Sequence, residues 1–437
     1  MTWWEILLGT FGLILCLFAS GLPVFACFLM ANVVGTLLLM GPAGLGLFAN
    51  SIFDTATTEA LVAIPLYVLL GELLFRTGGI TTLYGSLNRL IGAIPGRLYV
   101  IATTLAAFLG ALSGSAMASV AMLGRFIYPT MIDRGCDRRL SIGTILAGAT
   151  LDPIIPPSVL AIILATLANI SIASFLIAGI IPGLFLAGMF AVYAIVRTML
   201  NPSLDARPEP LSDAERGWWP LVRSVLEILP LCFIIFLVLG LIILGVAQPT
   251  EAAATGIIGT ALISVITRKI TWEVLYRACY GAAITTATIL VILASAKLFS
   301  QLLAFTGATT GLIGLVADLE VNRWLVFFIM MATVFLFCMF MDQLALMLIA
   351  VPVYSPIIAH LGFDPIWFWL LFLINITLGG ITPPFGYTMF VFKSAAPEVP
   401  LMEVYRAAWP MVGIVVLGMA IMSFVPQIVT WLPGVGH

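Results

Sequence analysis

Apolar segments long enough to cross a lipid bilayer follow one another through almost the whole sequence. Ten are predicted as full crossings, at about 4–20, 22–40, 58–76, 141–170, 176–199, 222–246, 249–267, 279–304, 366–392 and 408–432. A helical crossing needs about 20 apolar residues, and these segments lack the alternating pattern of barrel strands. Only 9% of the 437 residues are charged, against roughly 25% in soluble domains. The sequence therefore predicts an all-α polytopic membrane protein.

Two further apolar stretches, about 98–133 and 324–359, carry polar residues near their centres. The first contains LSGSAMAS (Leu112–Ser119) and the second FMDQ (Phe340–Gln343). Each is either one long helix or a re-entrant hairpin that enters and leaves on the same side. If both stretches fold as hairpins, 16 of the 18 lysines and arginines fall on one side of the membrane. The positive-inside rule makes that side the cytoplasm, so we interpret both stretches as re-entrant hairpins.

Two double prolines interrupt predicted crossings, in IPPS (Ile155–Ser158) and GGITPPFG (Gly379–Gly386). Proline removes a helical hydrogen bond and clashes with the preceding turn, so each crossing is predicted to break. Broken backbone at membrane depth is tolerated only where protein or a watered cavity covers it. Such a break offers carbonyls to a cation and the next half-helix offers N–H groups to an anion. Both breaks are therefore predicted binding sites.

The two double prolines belong to an internal repeat with a shift of 227 residues. The shift places Pro156–Pro157 on Pro383–Pro384, and it also matches Pro129 with Pro356, Gly135 with Gly362, Asp137 with Asp364, Thr150 with Thr377 and Ser115 with Asp342. The loop after the first hairpin holds three arginines, whereas its counterpart His360–Pro365 has no lysine or arginine. Equivalent loops then lie on opposite sides of the membrane, which is the build of inverted-repeat secondary transporters.

This repeat predicts the domain organisation. Residues 1–437 form a single membrane domain, with a first inverted repeat at 58–199, a cytoplasmic linker at 200–221 and a second inverted repeat at 279–432. Within the repeats, the broken helices are predicted at about 141–170 and 366–392. The net charge of −2 offers no basic surface for nucleic acid.

Oxygen-bearing groups at the hairpin tips and breaks are candidate ligands for Na⁺, because oxygen-only ligand sets suit hard cations. The first tip offers Ser113 and Ser115, with Gly114 allowing close approach of the backbone. The second tip offers Asp342 and Gln343. Further oxygens come from the breaks, namely Thr150, Asp152, Asn375, Thr377 and Thr382.

Structural roles compete with these site assignments. Small serines also serve helix–helix packing, and Asp342 also fits as a cap of its hairpin tip. Asp152 fits as a cap of the half-helix that follows it. Lys297 is a basic residue deep in a predicted crossing, where it either attracts an anionic substrate, pairs with an acidic neighbour or snorkels to the interface. An intramembrane ionisable residue is costly and by default functional.

Several of these motifs resemble the large membrane subunit (DctM-like) of the tripartite ATP-independent periplasmic (TRAP) transporters. The matching stretches are LSGSAMASVAMLG, IIPPS, PTEAAA (Pro249–Ala254), FMDQ and NITLGGITPPFGYTMFVF. The resemblance implies a Na⁺-driven secondary importer of organic anions in the bacterial inner membrane, with an elevator-type moving domain and no organic cofactor. It also implies two partners, a small four-helix membrane subunit and a periplasmic substrate-binding protein.

The resemblance also implies where ions and substrate bind. Two sodium sites are expected, drawn from Ser113, Gly114, Ser115, Asp152, Asp342, Gln343, Thr377, Gly379, Gly380 and Thr382. Substrate is expected between the hairpin tips, near Ser115, Ser158, Asn375, Thr382 and Pro383.

Other function classes fit the sequence less well. Intramembrane proteases need a GxSG serine with a histidine, HExxH or GxGD, and these patterns are absent. No GxxxxGK[ST] occurs, which argues against ATP drive. A channel would not need two dedicated ion sites. The remaining alternative is a Na⁺-coupled anion carrier of similar inverted-repeat fold that works without a binding protein.

Overall fold

The computed structural model describes residues 2–77, 80–91, 94–113, 115–206, 218–318 and 322–435, and the regular structure of these residues is helical. The first ten helices are α1 (Trp3–Ala19), α2 (Val24–Met40), α3 (Leu45–Thr57), α4 (Ala63–Thr77), α5 (Ile80–Leu90), α6 (Arg97–Ser113), α7 (Ala116–Asp133), α8 (Arg138–Thr150), α9 (Val159–Leu167) and α10 (Ile172–Leu200). Short 3₁₀ segments lie at Pro42–Gly44, Glu59–Val62 and Pro202–Leu204.

The second half of the chain contributes ten more helices. They are α11 (Trp218–Ile243), α12 (Pro249–Ile266), α13 (Trp272–Phe305), α14 (Ala308–Asp318), α15 (Arg323–Cys338), α16 (Gln343–His360), α17 (Pro365–Leu378), α18 (Tyr387–Ala395), α19 (Leu401–Phe424) and α20 (Gln427–Val435). The chain is thus an all-helical, multi-pass membrane protein, in agreement with the class predicted from composition.

Within the described residues, five helices are individually long and apolar enough to cross a bilayer, namely α10, α12, α13, α16 and α19. Helix α11 joins them if its two segments, bent by 50° at Pro230–Cys232, count as one span. Several other apolar helices are shorter, including α1, α2, α15 and α17. At 1.5 Å per residue a 17-residue helix is about 25 Å long, slightly less than the roughly 30 Å hydrocarbon core.

Both predicted breaks are present. Residues 151–158 separate α8 from α9, and residues 379–386 separate α17 from α18. The peptide bonds Pro156–Pro157 and Pro383–Pro384 are both cis. The predicted crossing at 408–432 was placed too late, because α19 begins at Leu401 and α20 starts after Pro426. Helices α3, α5 and α14 were not predicted, since each is short and mixes polar with apolar residues.

The two polar-centred stretches each fold as a pair of short helices rather than as one long helix. Helix α6 packs against α7, and α15 packs against α16. Ser115 is the N-cap of α7 and Asp342 is the N-cap of α16. Each side chain satisfies an N–H group that the start of a helix leaves unpaired.

Helix bounds recur under the same shift of 227 residues. The shift moves α7 onto residues 343–360, which are the bounds of α16. It also moves α5, α8 and α9 to within one residue of the bounds of α14, α17 and α18. Asp137 caps α8 and its counterpart Asp364 caps α17. The repeat found in the sequence is therefore also a repeat of helix order.

The first part of the predicted linker is tied to the helical core. The Tyr99 hydroxyl donates to the Leu204 carbonyl and accepts from the Asp137 N–H at 2.8 Å. The Gly96 N–H donates to the Asp205 carboxylate at 2.9 Å. The rest of that linker, residues 207–217, lies outside the described residues.

Candidate functional site

A cavity of about 540 Å³ lies where the two hairpin tips, both helix breaks and helices α4 and α13 meet. Its polar lining consists of Tyr67, Glu72, Ser115, Asp152, Thr285, Thr288, Asp342, Gln343 and Tyr387. The predicted tips and breaks, separated by as many as 227 residues in the sequence, therefore share one space. Ser115, Asp152, Asp342 and Gln343 are the predicted site residues that line it.

At the first break, Asp152 packs against α6 of the first hairpin. A methyl group on Gly110 would lie 2.8 Å from Cγ and 3.0 Å from Oδ1 of Asp152. Ser113 is the last residue of α6, so the predicted tip begins three residues after the contact at Gly110. Gly114 lies outside the described residues. Ser115 is half-buried and accepts a hydrogen bond from the Ala118 N–H at 3.3 Å.

Asp152 is 2% exposed, and its carboxylate has no hydrogen-bond partner among the residues that the structure describes. The alternative role as a helix cap is wrong, because Ser158 is the N-cap of α9 and accepts from the Ala161 N–H at 3.2 Å. A buried carboxylate without partners is costly unless a cation or a proton neutralises it. Among the described residues, no donor occupies the oxygens of Asp152 at the edge of the cavity.

At the second break, the hairpin tip contacts the end of α17. The Gln343 amide donates to the Ile376 carbonyl at 3.5 Å, and a side chain on Gly379 would collide with the Cys338 carbonyl. Asp342 accepts from the Leu344 N–H at 2.9 Å, which confirms the capping role. Its side chain is nevertheless exposed to the cavity, so one carboxylate serves both as cap and as lining.

The polar groups of the second break mostly bond to nearby backbone. The Thr377 hydroxyl donates to the Ile374 carbonyl at 2.7 Å and the Thr382 hydroxyl to the Leu378 carbonyl at 2.6 Å. A hydroxyl that donates its proton in this way keeps its lone pairs for a cation. The Gly380 carbonyl accepts from both the N–H and the hydroxyl of Thr388, so its two lone pairs are engaged.

The residues expected at the substrate are dispersed. Ser115 lines the cavity, but Ser158, Asn375, Thr382 and Pro383 do not. Asn375 is 2% exposed, and its amide donates to the Met331 carbonyl at 2.7 Å. That bond ties α17 to the first arm of the second hairpin. The structure thus places Asn375 in the packing between helices rather than at the cavity surface.

Lys297 pairs with Asp54 at 3.1 Å and is absent from the cavity lining. This confirms the alternative in which Lys297 pairs with an acidic neighbour. Both side chains are partly exposed, at 41% and 51%.

The sequence did not identify the wall formed by α4 and α13. Tyr67 and Glu72 of α4 and two threonines of α13 line it. Glu72 pairs with Arg76 at 2.7 Å. Gly281 of α13 packs closely against the carboxyl group of Glu72. Tyr387 was also missed, although it directly follows the second break. For Glu72 the sequence signal is an acidic residue within the predicted crossing 58–76, and for Tyr387 it is the position next to the second break.

The charged side chains of the cavity lining are acidic. Asp152 and Asp342 contribute carboxyl groups without an ion-pair partner among the described residues, the Glu72 carboxylate pairs with Arg76, and no lysine, arginine or histidine occurs among the described lining residues. In a cavity bordered by protein, charges interact more strongly than in bulk water. The arrangement is suited to binding cations. An anion would bind here only through neutral donors or beside a bound cation.

Comparison with known proteins identifies one family. The family model described as "Tripartite ATP-independent periplasmic transporter, DctM component" matches residues 11–428. The large permease protein of a C4-dicarboxylate TRAP transporter from Pseudomonas aeruginosa is 28% identical, over 91% of this chain and 92% of that protein. The ectoine TRAP large permease of Halomonas elongata and the 2,3-diketo-L-gulonate TRAP large permease of Escherichia coli are each 27% identical, over 94% of this chain and 95% of theirs.

A solved structure shares the fold. The crystal structure of the YdaH transporter from Alcanivorax borkumensis superposes with a TM-score of 0.59, covering 91% of this chain and 95% of that one. The sequence identity is only 15%, so this similarity concerns the fold alone.

Proposed function

This chain belongs to the DctM-component family of the TRAP transporters, and we propose that it imports an organic anion across the bacterial inner membrane in symport with Na⁺. The observation that carries the proposal is the cavity itself. Two carboxylates, Asp152 and Asp342, line one cavity together with the tips of both hairpins. Each lies at a helix break or tip, where backbone and hydroxyl oxygens are also concentrated.

The negative lining supports coupling between cation and anion. An organic anion that approaches the carboxylates of Asp152 and Asp342, which have no basic partner among the described residues, meets repulsion unless cations are already bound. Sodium ions at Asp152 and Asp342 neutralise that charge and make the cavity attractive to a carboxylate. Binding of each ligand then favours binding of the other, as reciprocity of binding free energies requires. In this proposal those cations bind at the two sodium sites expected at the breaks.

The substrate is proposed to be a carboxylate or a related organic anion. Relatives are named for C4-dicarboxylate, ectoine and 2,3-diketo-L-gulonate. As a family member, the chain is proposed to work with a small membrane subunit and a periplasmic substrate-binding protein. These partners deliver the substrate to the outer face and complete the membrane complex.

The mechanism is proposed to use inverted repeats and an elevator-type movement. The recurrence of helix bounds under a 227-residue shift supports the repeat, and the difference in loop charge supports its inversion. In this proposal the hairpins α6–α7 and α15–α16 are re-entrant and move together with the broken helices. Helices α4 and α13 form the wall of the cavity against which that unit moves.

Uptake by proteoliposomes tests the proposal. They contain this chain, its small subunit and the purified binding protein, with radiolabelled succinate, ectoine and 2,3-diketo-L-gulonate as probes. We expect an inward Na⁺ gradient to drive uptake of at least one probe, and an equal K⁺ gradient to drive none. Asp342→Asn removes the carboxylate charge but keeps a capping oxygen, so we expect uptake to fall at least tenfold.

The matched control is Asp133→Asn, because Asp133 is exposed at the end of α7, far along the helix from the tip. That variant should transport like the unaltered protein. Uptake of all three probes that ignores the Na⁺ gradient would contradict the symport proposal. Equal Na⁺-driven uptake without the binding protein would favour the free-standing carrier instead.

A further inference from the structure

Tyr387 places a phenol hydroxyl in the cavity at the second break. It is the first residue of α18 and is half-buried in the cavity wall. Its hydroxyl has no hydrogen-bond partner among the described residues. The hydroxyl oxygen is also not fully enclosed by protein. The hydroxyl of Tyr67, which lines the same cavity, is by contrast fully enclosed and also unpartnered. Of these two phenols, Tyr387 is the one that a ligand can reach.

The Tyr387 ring packs against Gly380. A methyl group on Gly380 would lie 3.0 Å from both Cζ and the hydroxyl oxygen of Tyr387. The ring therefore lies over the broken backbone, where a side chain at position 380 would push it aside by a few tenths of an ångström. An aromatic ring packed in this way is oriented before any ligand arrives, which lowers the entropy lost on binding.

The position of the hydroxyl matches the need of an anion in this cavity. Tyr387 lies close enough to Asp342 and Asp152 to interact electrostatically with both carboxylates. A cation bound at either carboxylate would occupy the same cavity as this hydroxyl. A carboxylate oxygen of the substrate, attracted by that cation, then meets the phenol as a donor. Phenol donates but cannot supply positive charge, so the cation and the hydroxyl complement each other.

The other side-chain donors of the cavity are neutral, and some are already engaged. No basic side chain occurs among the described lining residues. The Thr288 hydroxyl donates to the Ile284 carbonyl at 3.0 Å, and one of the two N–H groups of the Gln343 amide donates to the Ile376 carbonyl. Thr285 is exposed, but it belongs to the opposite wall on α13.

We propose that the Tyr387 hydroxyl donates a hydrogen bond to a carboxylate oxygen of the transported organic anion and so contributes to substrate recognition. This rests on the proposed function. Tyr387 acts on the anion and leaves the cations to the carboxylates and backbone oxygens. Substrates without an acceptor at that position should gain nothing from it.

Tyr387→Phe tests the proposal, because it removes the hydroxyl and keeps the ring over Gly380. The assay is Na⁺-driven uptake of whichever of labelled succinate, ectoine or 2,3-diketo-L-gulonate the unaltered complex imports. A hydrogen bond to a charged group contributes enough for about a tenfold effect. We expect kcat/KM for the probe-loaded binding protein to fall about tenfold, while the Na⁺ concentration for half-maximal uptake changes less than twofold.

Tyr193→Phe on α10 is the matched control, because it removes a phenol hydroxyl that does not line the cavity. It should keep kcat/KM within about twofold. An unchanged kcat/KM in Tyr387→Phe would overturn the proposal, as would a tenfold loss in this control. An equal shift in the Na⁺ requirement would assign the hydroxyl to the cation instead. If the unaltered complex imports none of the probes, the proposed function fails, and this proposal with it.

Discussion

Asp152 lies against Gly110, so that the first broken helix touches the first hairpin at a point where no side chain fits. The methyl group of an alanine at position 110 would stand 2.8 Å from Cγ of Asp152. Both segments are buried here, which leaves little room for either to move. The position of the Asp152 carboxylate therefore depends on the absence of a side chain on the neighbouring helix.

Gly110→Ala is expected to displace Asp152 from the cavity edge. Overpacking of a close contact costs about 1–3 kcal/mol, and a displaced carboxylate binds Na⁺ less well. We expect Na⁺-driven uptake to require several-fold more Na⁺, with a lower midpoint of thermal unfolding. Gly188→Ala is the control, because a methyl group there meets no atom within 4 Å. Equal Na⁺ requirements in both variants would contradict a role for Asp152 in cation binding.

Asn375→Leu is expected to destabilise the protein without changing which substrate it prefers. The Asn375 amide donates to the buried Met331 carbonyl at 2.7 Å, and loss of such a hydrogen bond costs about 0.5–1.5 kcal/mol. Thermal unfolding in detergent measures the loss. The ratio of kcat/KM values between two transported anions measures selectivity. A change in that ratio of more than about fivefold would instead place Asn375 at the substrate.

Lys297→Met should have little effect on substrate affinity. Its ammonium pairs with Asp54 at 3.1 Å and does not line the cavity. Both partners are partly exposed, and such pairs contribute about 0–1 kcal/mol. We expect KM for uptake to remain within about twofold. Asp54→Asn, which breaks the same pair from the other side, should behave alike. A tenfold rise in KM confined to Lys297→Met would show attraction of the anion by the ammonium.

Tyr99→Phe is expected to loosen the segment that follows α10. The hydroxyl bridges the Leu204 carbonyl and the Asp137 N–H, so its removal costs two hydrogen bonds of about 1 kcal/mol each. Limited proteolysis near residue 204 should become faster, while Na⁺-driven uptake persists. Tyr193→Phe on α10 serves as the control. Unchanged cleavage rates in both variants would show that this bridge does not hold the segment.

The sequence determined the class of protein and the positions of its interruptions. Apolar length, scarcity of charge and the prolines depend on local chemistry, so the broken helices and both hairpin pairs were placed to within a few residues. The 227-residue repeat was also visible, because the same turn and cap residues are needed wherever the same helix order recurs. Short amphipathic helices such as α5 and α14 carried too weak a pattern to be recognised.

Only the tertiary structure decided which groups meet. It placed Asp152 against Gly110, brought Asp342 into the same cavity, and added Tyr387 with the wall of α4 and α13. It also assigned Lys297 to Asp54 and Asn375 to Met331. Partners of this kind are distant in sequence, and several acceptors would satisfy each side chain equally well. The packing of the helices selects one acceptor, and no local pattern in the sequence records that selection.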